Sequence, residues 1–424
     1  MFTKFLQAFK VPDIRNRLLI IGGLLVVFRL MANIPLPGLD RVRLIELFNS
    51  NQLLGFLNIF SGGGLDNLSI MMLGVGPYIT ATIVMQLLTM IFPQLKAMYH
   101  EEGAAGRAKF NRYSLYLTVP LAGLQSYGLL NLLSRQGVFT DLSFFNTVTN
   151  VIVATAGSLV LVWLGNLISK QKLGNGVSLI IFAGIVSGLP QLVKESILSY
   201  DPSLITTYLA FAVLSIIIIA GVVFITEGER KVPVSYAKRV RGNKMYGGVS
   251  TYLPLRVNQA GVIPIIFAIS ILLFPQFVAQ ISAIFSRDFS VKFNDWILYF
   301  FNNQIIYGLI YFLLVVVFTY FYTSVVFDPK EIAKNLQQAG GFVPGIRPGE
   351  PTKDFLLQII NRITLFGALF LGIIAVLPNI TQILTGIQRL TIGGTALLIV
   401  VSVALETMKQ VESQLIVREY DGNF

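Results

Sequence analysis

The stretch "IIYGLIYFLLVVVFTYFYTSVVF" (305–327) runs for 23 residues without one acid or base. An α-helix advances about 1.5 Å per residue, so about 20 apolar residues cross the hydrocarbon core of a bilayer. The stretch therefore reads as a membrane span. Two others, "LLIIGGLLVVF" (18–28) and "LAFAVLSIIIIAGVVFI" (209–225), are equally free of charge. Across 424 residues, 54% are hydrophobic and 12% charged, and the mean hydropathy is +0.72. A soluble domain carries about a quarter charged residues. The composition excludes one and indicates an all-α polytopic membrane protein.

Ten apolar segments are expected to span: 18–34, 70–92, 113–133, 149–168, 177–197, 204–226, 259–283, 299–327, 363–386 and 391–408. An even number puts both termini on one side. Of the 32 Lys and Arg, 24 fall in the N-terminus, in 93–112, 169–176, 227–258 and 328–362, and in the C-terminus, against 7 on the other face. The positive-inside rule makes the basic side cytoplasmic. The net charge of +11 thus belongs to one face, which argues against nucleic-acid binding. Residues 1–17 read as a cytoplasmic amphipathic segment without signal-peptide order, and 409–424 as a cytoplasmic tail. Long connections follow the first span of each half, 35–69 outside and 227–258 inside. They suggest two inverted five-helix halves, 18–197 and 204–408.

Catalytic and ion-coupling signatures are missing from the sequence. It has no cysteine and one histidine, His100, so thiol metal sites are excluded. Arg29 and Glu406 lie toward span ends, where long side chains snorkel, and no span holds a pair of carboxylates. No P-loop, HExxH or selectivity-filter motif occurs. We expect no enzyme activity and no cofactor. What recurs is an apolar pair one helical turn apart behind a glycine break: Val75 and Ile79 around "GVGPYI", Val177 and Ile181 after "LGNG". Ile266 in "GVIPIIF" and Ile399 in "GGTALLIV" follow similar interruptions. Residue by residue such positions ordinarily face lipid or a neighbouring helix.

"FRLMANIPLPGLD" (28–40), "FSGGGLDNLSIMMLGVGPYITATIVMQLLT" (60–89), "GNGVSLIIFAGIVSGLP" (174–190), "LPLRVNQAGVIPIIFA" (253–268) and "GGFVPGIRPGEPT" (340–352) together resemble the SecY family of protein-conducting channels. The likeness runs from about residue 10 to 410 in one order. It implies ten spans around a central hourglass pore that passes unfolded polypeptides and releases membrane segments sideways into lipid. It implies a pore ring of Val75, Ile79, Val177, Ile181, Ile266 and Ile399, with two valines widening the opening slightly. A narrow apolar collar offers a passing chain no strong hydrogen bond and, when empty, disfavours continuous water. The resemblance also implies a short plug helix over 61–73. In it Gly62, Gly63 and Gly64 would allow movement, Leu65, Leu68, Ile70 and Met71 supply apolar surface, and Asp66, Asn67 and Ser69 keep one side wettable.

A lateral gate is implied between the helices matching 74–92 and 257–280. Thr80, Thr82 and Gln86 on one side, with Asn258 and Gln259 on the other, are candidates for bonds across it; they would serve equally as internal helix–helix glue. The cytoplasmic loops 227–258 and 328–362 exceed what topology requires. In the family such loops dock the ribosome or the SecA motor. Arg347 is the first candidate for that contact, then Arg239, Arg241 and Lys244, suited to phosphate or acidic surfaces. SecE and SecG are implied as companions, secretory preproteins and nascent membrane proteins as passengers, and the bacterial cytoplasmic membrane as location. With no nucleotide site, the driving energy comes from outside the chain. The alternatives are a secondary transporter of a small solute, favoured by broken helices, and an insertase without a through-pore.

Overall fold

A computed structural model of the chain describes residues 9–37, 68–135, 137–139, 143–198, 205–236, 239–241, 244–246, 250–285, 292–293, 295–297, 299–300, 303–385 and 389–420. Its elements in chain order are α1 (Pro12–Met31), α2 (Gly76–Ile91), α3 (Pro93–His100), α4 (Gly103–Arg135), α5 (Phe144–Ser169), α6 (Gly176–Leu198), α7 (Ile205–Glu227), β1 (Glu229–Tyr236), β2 (Arg239–Arg241), β3 (Lys244–Tyr246), β4 (Ser250–Arg256), α8 (Ile263–Phe285), α9 (Gln304–Val326), α10 (Pro329–Gln338), β5 (Gly341–Phe342), α11 (Glu350–Thr385) and α12 (Arg389–Tyr420). Among the described residues, ten of these helices, all but α3 and α10, fall on the ten apolar segments.

The helix ends follow from local chemistry. Proline opens α1, α2, α3 and α10, where its missing N–H belongs to a turn that has no intrahelical acceptor for it. Between α2 and α3 the chain bends by 112°. Phe92 at the corner is extended, φ −105° and ψ 109°, because Pro93 excludes the helical region for the residue before it. Pro120, Pro190 and Pro275 lie inside α4, α6 and α8, as membrane helices tolerate.

Among the described residues, three stretches are long and apolar enough to cross a membrane uninterrupted: Phe144–Ser169, Gln304–Gln338 (α9 with α10) and Glu350–Leu377. The bent pair α2–α3 makes a fourth if it is a single span, and the apolar runs Gly176–Gly188, Ala212–Glu227 and Ile263–Leu272 are shorter.

Two further departures from expectation stand out. The second segment becomes helical at Gly76, six residues late, and the seventh at Ile263. The plug helix expected over 61–73 is not helical where it is described. Leu68–Val75 run as consecutive turns, with Met72 N–H to the Ser69 carbonyl (2.8 Å) and Gly74 N–H to that of Met71 (2.9 Å). Gly74 takes φ +58°, a conformation that interrupts a right-handed helix and that glycine adopts without strain. Gly62, Gly63, Gly64, Leu65, Asp66 and Asn67 lie outside the described residues.

The chain divides into two compact units, residues 1–208, 269–303 and 403–424 in one, and 209–268 and 304–402 in the other. In the first, Leu36, Leu68, Met72 and Leu73 share a buried cluster with Ala122, Leu129, Leu130 and Leu133 of α4 and Ala154 of α5. The helices α5 and α6 cross at two glycines: a Cβ on Gly176 would overlap the Gly165 carbonyl. In the second unit α9 meets α11 closely, with a Cβ on Gly372 only 2.7 Å from the Phe312 ring. Small residues let membrane helices approach this way.

Overpacking a tight core typically destabilises by about 1–3 kcal/mol. Gly176→Leu is therefore expected to lower the thermal unfolding midpoint in detergent. Gly123→Ala, where a Cβ meets nothing within 4 Å, is expected to leave that midpoint unchanged.

Candidate functional site

The six candidate pore residues fall four in one unit and two in the other. Val75 is the fully buried N-cap of α2, and its carbonyl accepts the Ile79 N–H at 3.0 Å, so the pair lies one turn apart. Val177 and Ile181 occupy the first turns of α6. There Asn175 Oδ1 accepts the N–H of Val177 (3.1 Å) and Ser178 (3.4 Å), and Ser169 Oγ accepts that of Gly176 (2.9 Å). Asn175 thus closes the open end of a helix whose first N–H groups lack intrahelical partners. In the other unit Ile266 is buried on α8, and its neighbour Phe267 stacks edge-to-face on Phe318 and Tyr322 of α9, both at 6.0 Å. Ile399 is buried in α12.

The gate candidates are bonded mostly within their own elements. Thr80 Oγ1 donates to the Gly76 carbonyl (3.1 Å) and Thr82 Oγ1 to that of Tyr78 (2.8 Å). Neither hydroxyl proton is left for a partner outside α2. Asn258 Nδ2 donates to the Gly261 carbonyl at 3.1 Å. Gln86 Oε1 and Asn258 Oδ1 are buried and accept no hydrogen bond among the described residues. These two oxygens are the gate candidates that are buried without a hydrogen bond among the described residues. Gln259 is half-buried.

The described parts of 227–258 and 328–362, read from sequence as separate loops, are joined in one sheet. β1 pairs antiparallel with β4 over seven residues, Glu229–Ser235 against Ser250–Arg256, and also with β5 through Ser235–Phe342 and Tyr236–Gly341. Beneath the sheet Val232, Leu255, Val343, Leu356, Ile359 and Ile360 form a small core. The signal for β1 was present in "ERKVPVSY", where Val232 and Val234 alternate with exposed residues, as a half-buried strand requires. The amphipathic helix α10 completes the loop: Asp328 Oδ1 caps it by accepting the Lys330 N–H at 2.8 Å.

Arg347 sits exposed on the turn between β5 and α11. Gly345 (φ +85°) and Gly349 (φ +99°) make that turn, and the Arg347 carbonyl accepts Thr352 Oγ1 at 2.8 Å. At the start of α11, Lys353 Nζ donates to Glu350 Oε2, three residues before it, at 2.7 Å. That hydrogen bond and the charge attraction hold the Glu350 carboxyl below its ordinary value and the Lys353 ammonium above its own. Arg239 and Arg241 lie on β2 and Lys244 on β3, with Arg241 opposite Lys244.

The SecY family model matches residues 69–408. A protein translocase subunit SecY from Mycobacterium bovis is 41% identical over 443 residues, covering 100% of this chain and 99% of the relative. The chain belongs to the SecY family. Its fold is also that of solved channels at low identity. A structure concerned with the SecY plug domain and its membrane seal superposes with a TM-score of 0.65 at 19% identity, over 94% of this chain and 92% of that one. Sec61 in the canine ribosome–channel complex gives 0.62 at 18%, over 94% and 92%.

For the turn carrying Arg347, the sign of the pH dependence is fixed by the ion pair. The depressed Glu350 contributes stability above its ordinary value of 4.5 and loses it as pH falls through the folded-state value. The raised Lys353 contributes below 10.5 and loses it as pH rises through its folded-state value. Glu350→Gln is expected to speed amide exchange at the start of α11 at neutral pH, with parent and variant converging once Glu350 is protonated.

Proposed function

We propose that this chain forms the channel through which unfolded polypeptides cross a bacterial cytoplasmic membrane. The observation that carries the reading is the identity with a translocase subunit along essentially the whole length of both chains. The site supports it: Val75, Ile79, Val177, Ile181, Ile266 and Ile399 are uncharged residues, five of them buried and Val177 partly so. They form the collar that seals the resting channel and fits itself around a moving chain. The two inverted halves enclose an hourglass pore, and a plug closes its outer side. The gate residues are those the family resemblance implies, among which Gln86 Oε1 and Asn258 Oδ1 are buried acceptors without a hydrogen bond among the described residues.

Both termini are cytoplasmic, as the lysine and arginine distribution requires. The β4–β1–β5 sheet and its core hold the described parts of the two basic loops as one platform, which displays Arg347 to a motor or a ribosome; Arg239, Arg241 and Lys244 are the next candidates for that contact. SecA or ribosomal synthesis supplies the driving energy, and SecE and SecG complete the complex. The chain itself is no enzyme. Broken helices alone favour the small-solute transporter, and the similarity to translocase subunits gives it no support.

The test uses proteoliposomes of the full chain with SecE, SecG and SecA, a radiolabelled preprotein and external protease. ATP-dependent protection is expected, and Arg347→Glu is expected to abolish most of it while the variant remains folded. Protection that survives the charge reversal removes Arg347 from the docking site. Absent protection with the folded parent refutes the channel reading, and solute uptake then becomes the assay.

A further inference from the structure

Resting on the channel reading, we propose that residues 68–75 are a fixed seat for the pore, latched by Gly157 and Ser158 of α5, and do not move when the channel opens. The resemblance to the family placed most of this stretch in a movable plug. Its bonding in the structure argues otherwise.

The stretch is held from two sides. On one, Leu36 N–H donates to the Leu68 carbonyl at 2.9 Å and Ile70 N–H to that of Ile34 at 3.0 Å, with Pro35 paired antiparallel to Ser69. On the other, Ser158 Oγ donates to the Gly74 carbonyl at 2.8 Å. The neighbouring Gly157 lies so close to Ile70 that a Cβ there would overlap the Ile70 carbonyl. Within the stretch Ser69 Oγ accepts the Met71 N–H at 3.2 Å. Leu68, Ser69, Met71, Met72 and Val75 are fully buried.

Moving these residues would strip buried backbone groups of their partners in a place where water does not replace them, which is strongly unfavourable. The two ends of the stretch are also the places where the backbone leaves ordinary geometry, Leu68 at φ +38° and Gly74 at φ +58°. A leucine holds such a φ only where surrounding contacts impose it. Gly74 hands the chain directly to Val75, the first residue of the pore ring and the N-cap of α2. Ser158 is therefore a positioning residue: by holding the Gly74 carbonyl it sets where Val75 and the first turn of α2 stand.

Two experiments in the same proteoliposomes test this. Pro35 and Ser69 face each other as a non-hydrogen-bonded antiparallel pair, the arrangement whose Cα separation suits a disulfide. The chain has no cysteine of its own, so P35C/S69C forms a single bridge. Oxidation is expected to leave the export rate of the variant where reduction leaves it. Export lost on oxidation and regained on reduction overturns the proposal, while an active parent keeps the channel reading intact. Independently, Ser158→Ala is expected to raise resting ion conductance severalfold, and Ser158→Thr, which keeps the hydroxyl, to restore it. Equal conductance in parent and Ser158→Ala overturns the latch. If P35C/S69C is inactive even when reduced, the Ser158 pair decides alone.

Discussion

Hydrocarbon offers no hydrogen-bond partner, so each peptide group at membrane depth must find one within the protein. Helices satisfy this locally, and most of the described chain is helical. The informative places are those where the helix stops. At several of them a side chain or a nearby strand-like segment takes up released backbone groups: Ser158 at the Gly74 carbonyl, Ser169 and Asn175 at the start of α6, and Ile34–Leu36 alongside Leu68–Ile70. The candidate pore residues Val75, Ile79, Val177 and Ile181 sit immediately after two of these breaks. A channel whose lining must be uncharged cannot use side-chain charge to locate its narrowest point. In the proposed channel, breaks in the backbone would take over that task.

The second organising feature lies outside the apolar segments. Turn chemistry dominates the linear reading of 227–258 and 328–362, with glycine and proline at the tips. Folded together they form a three-stranded sheet over an apolar core. A surface arginine on an isolated loop samples many positions and loses conformational freedom on binding. Arg347 instead rides on a turn fixed by two glycines at positive φ, by Thr352 and by the start of α11. The turn is thereby preorganised.

The sequence alone determined a great deal. Hydrophobic length marked ten segments that coincide with ten helices, because an apolar run of that size has one economical solution in a bilayer. The motifs around "FVPGIRPGE" pointed to the family that the comparisons show. Tertiary structure alone decided the rest. That Ser158 meets Gly74, 84 residues away, and that β1 joins β5 across more than a hundred residues, depend on pairings between distant segments, which no local periodicity encodes. The same holds for the turns at 68–75. Their composition is as apolar as a helix, and only a neighbouring backbone at 34–36 and a helix closing at Gly157 make the extended, turned path more stable than a helical one.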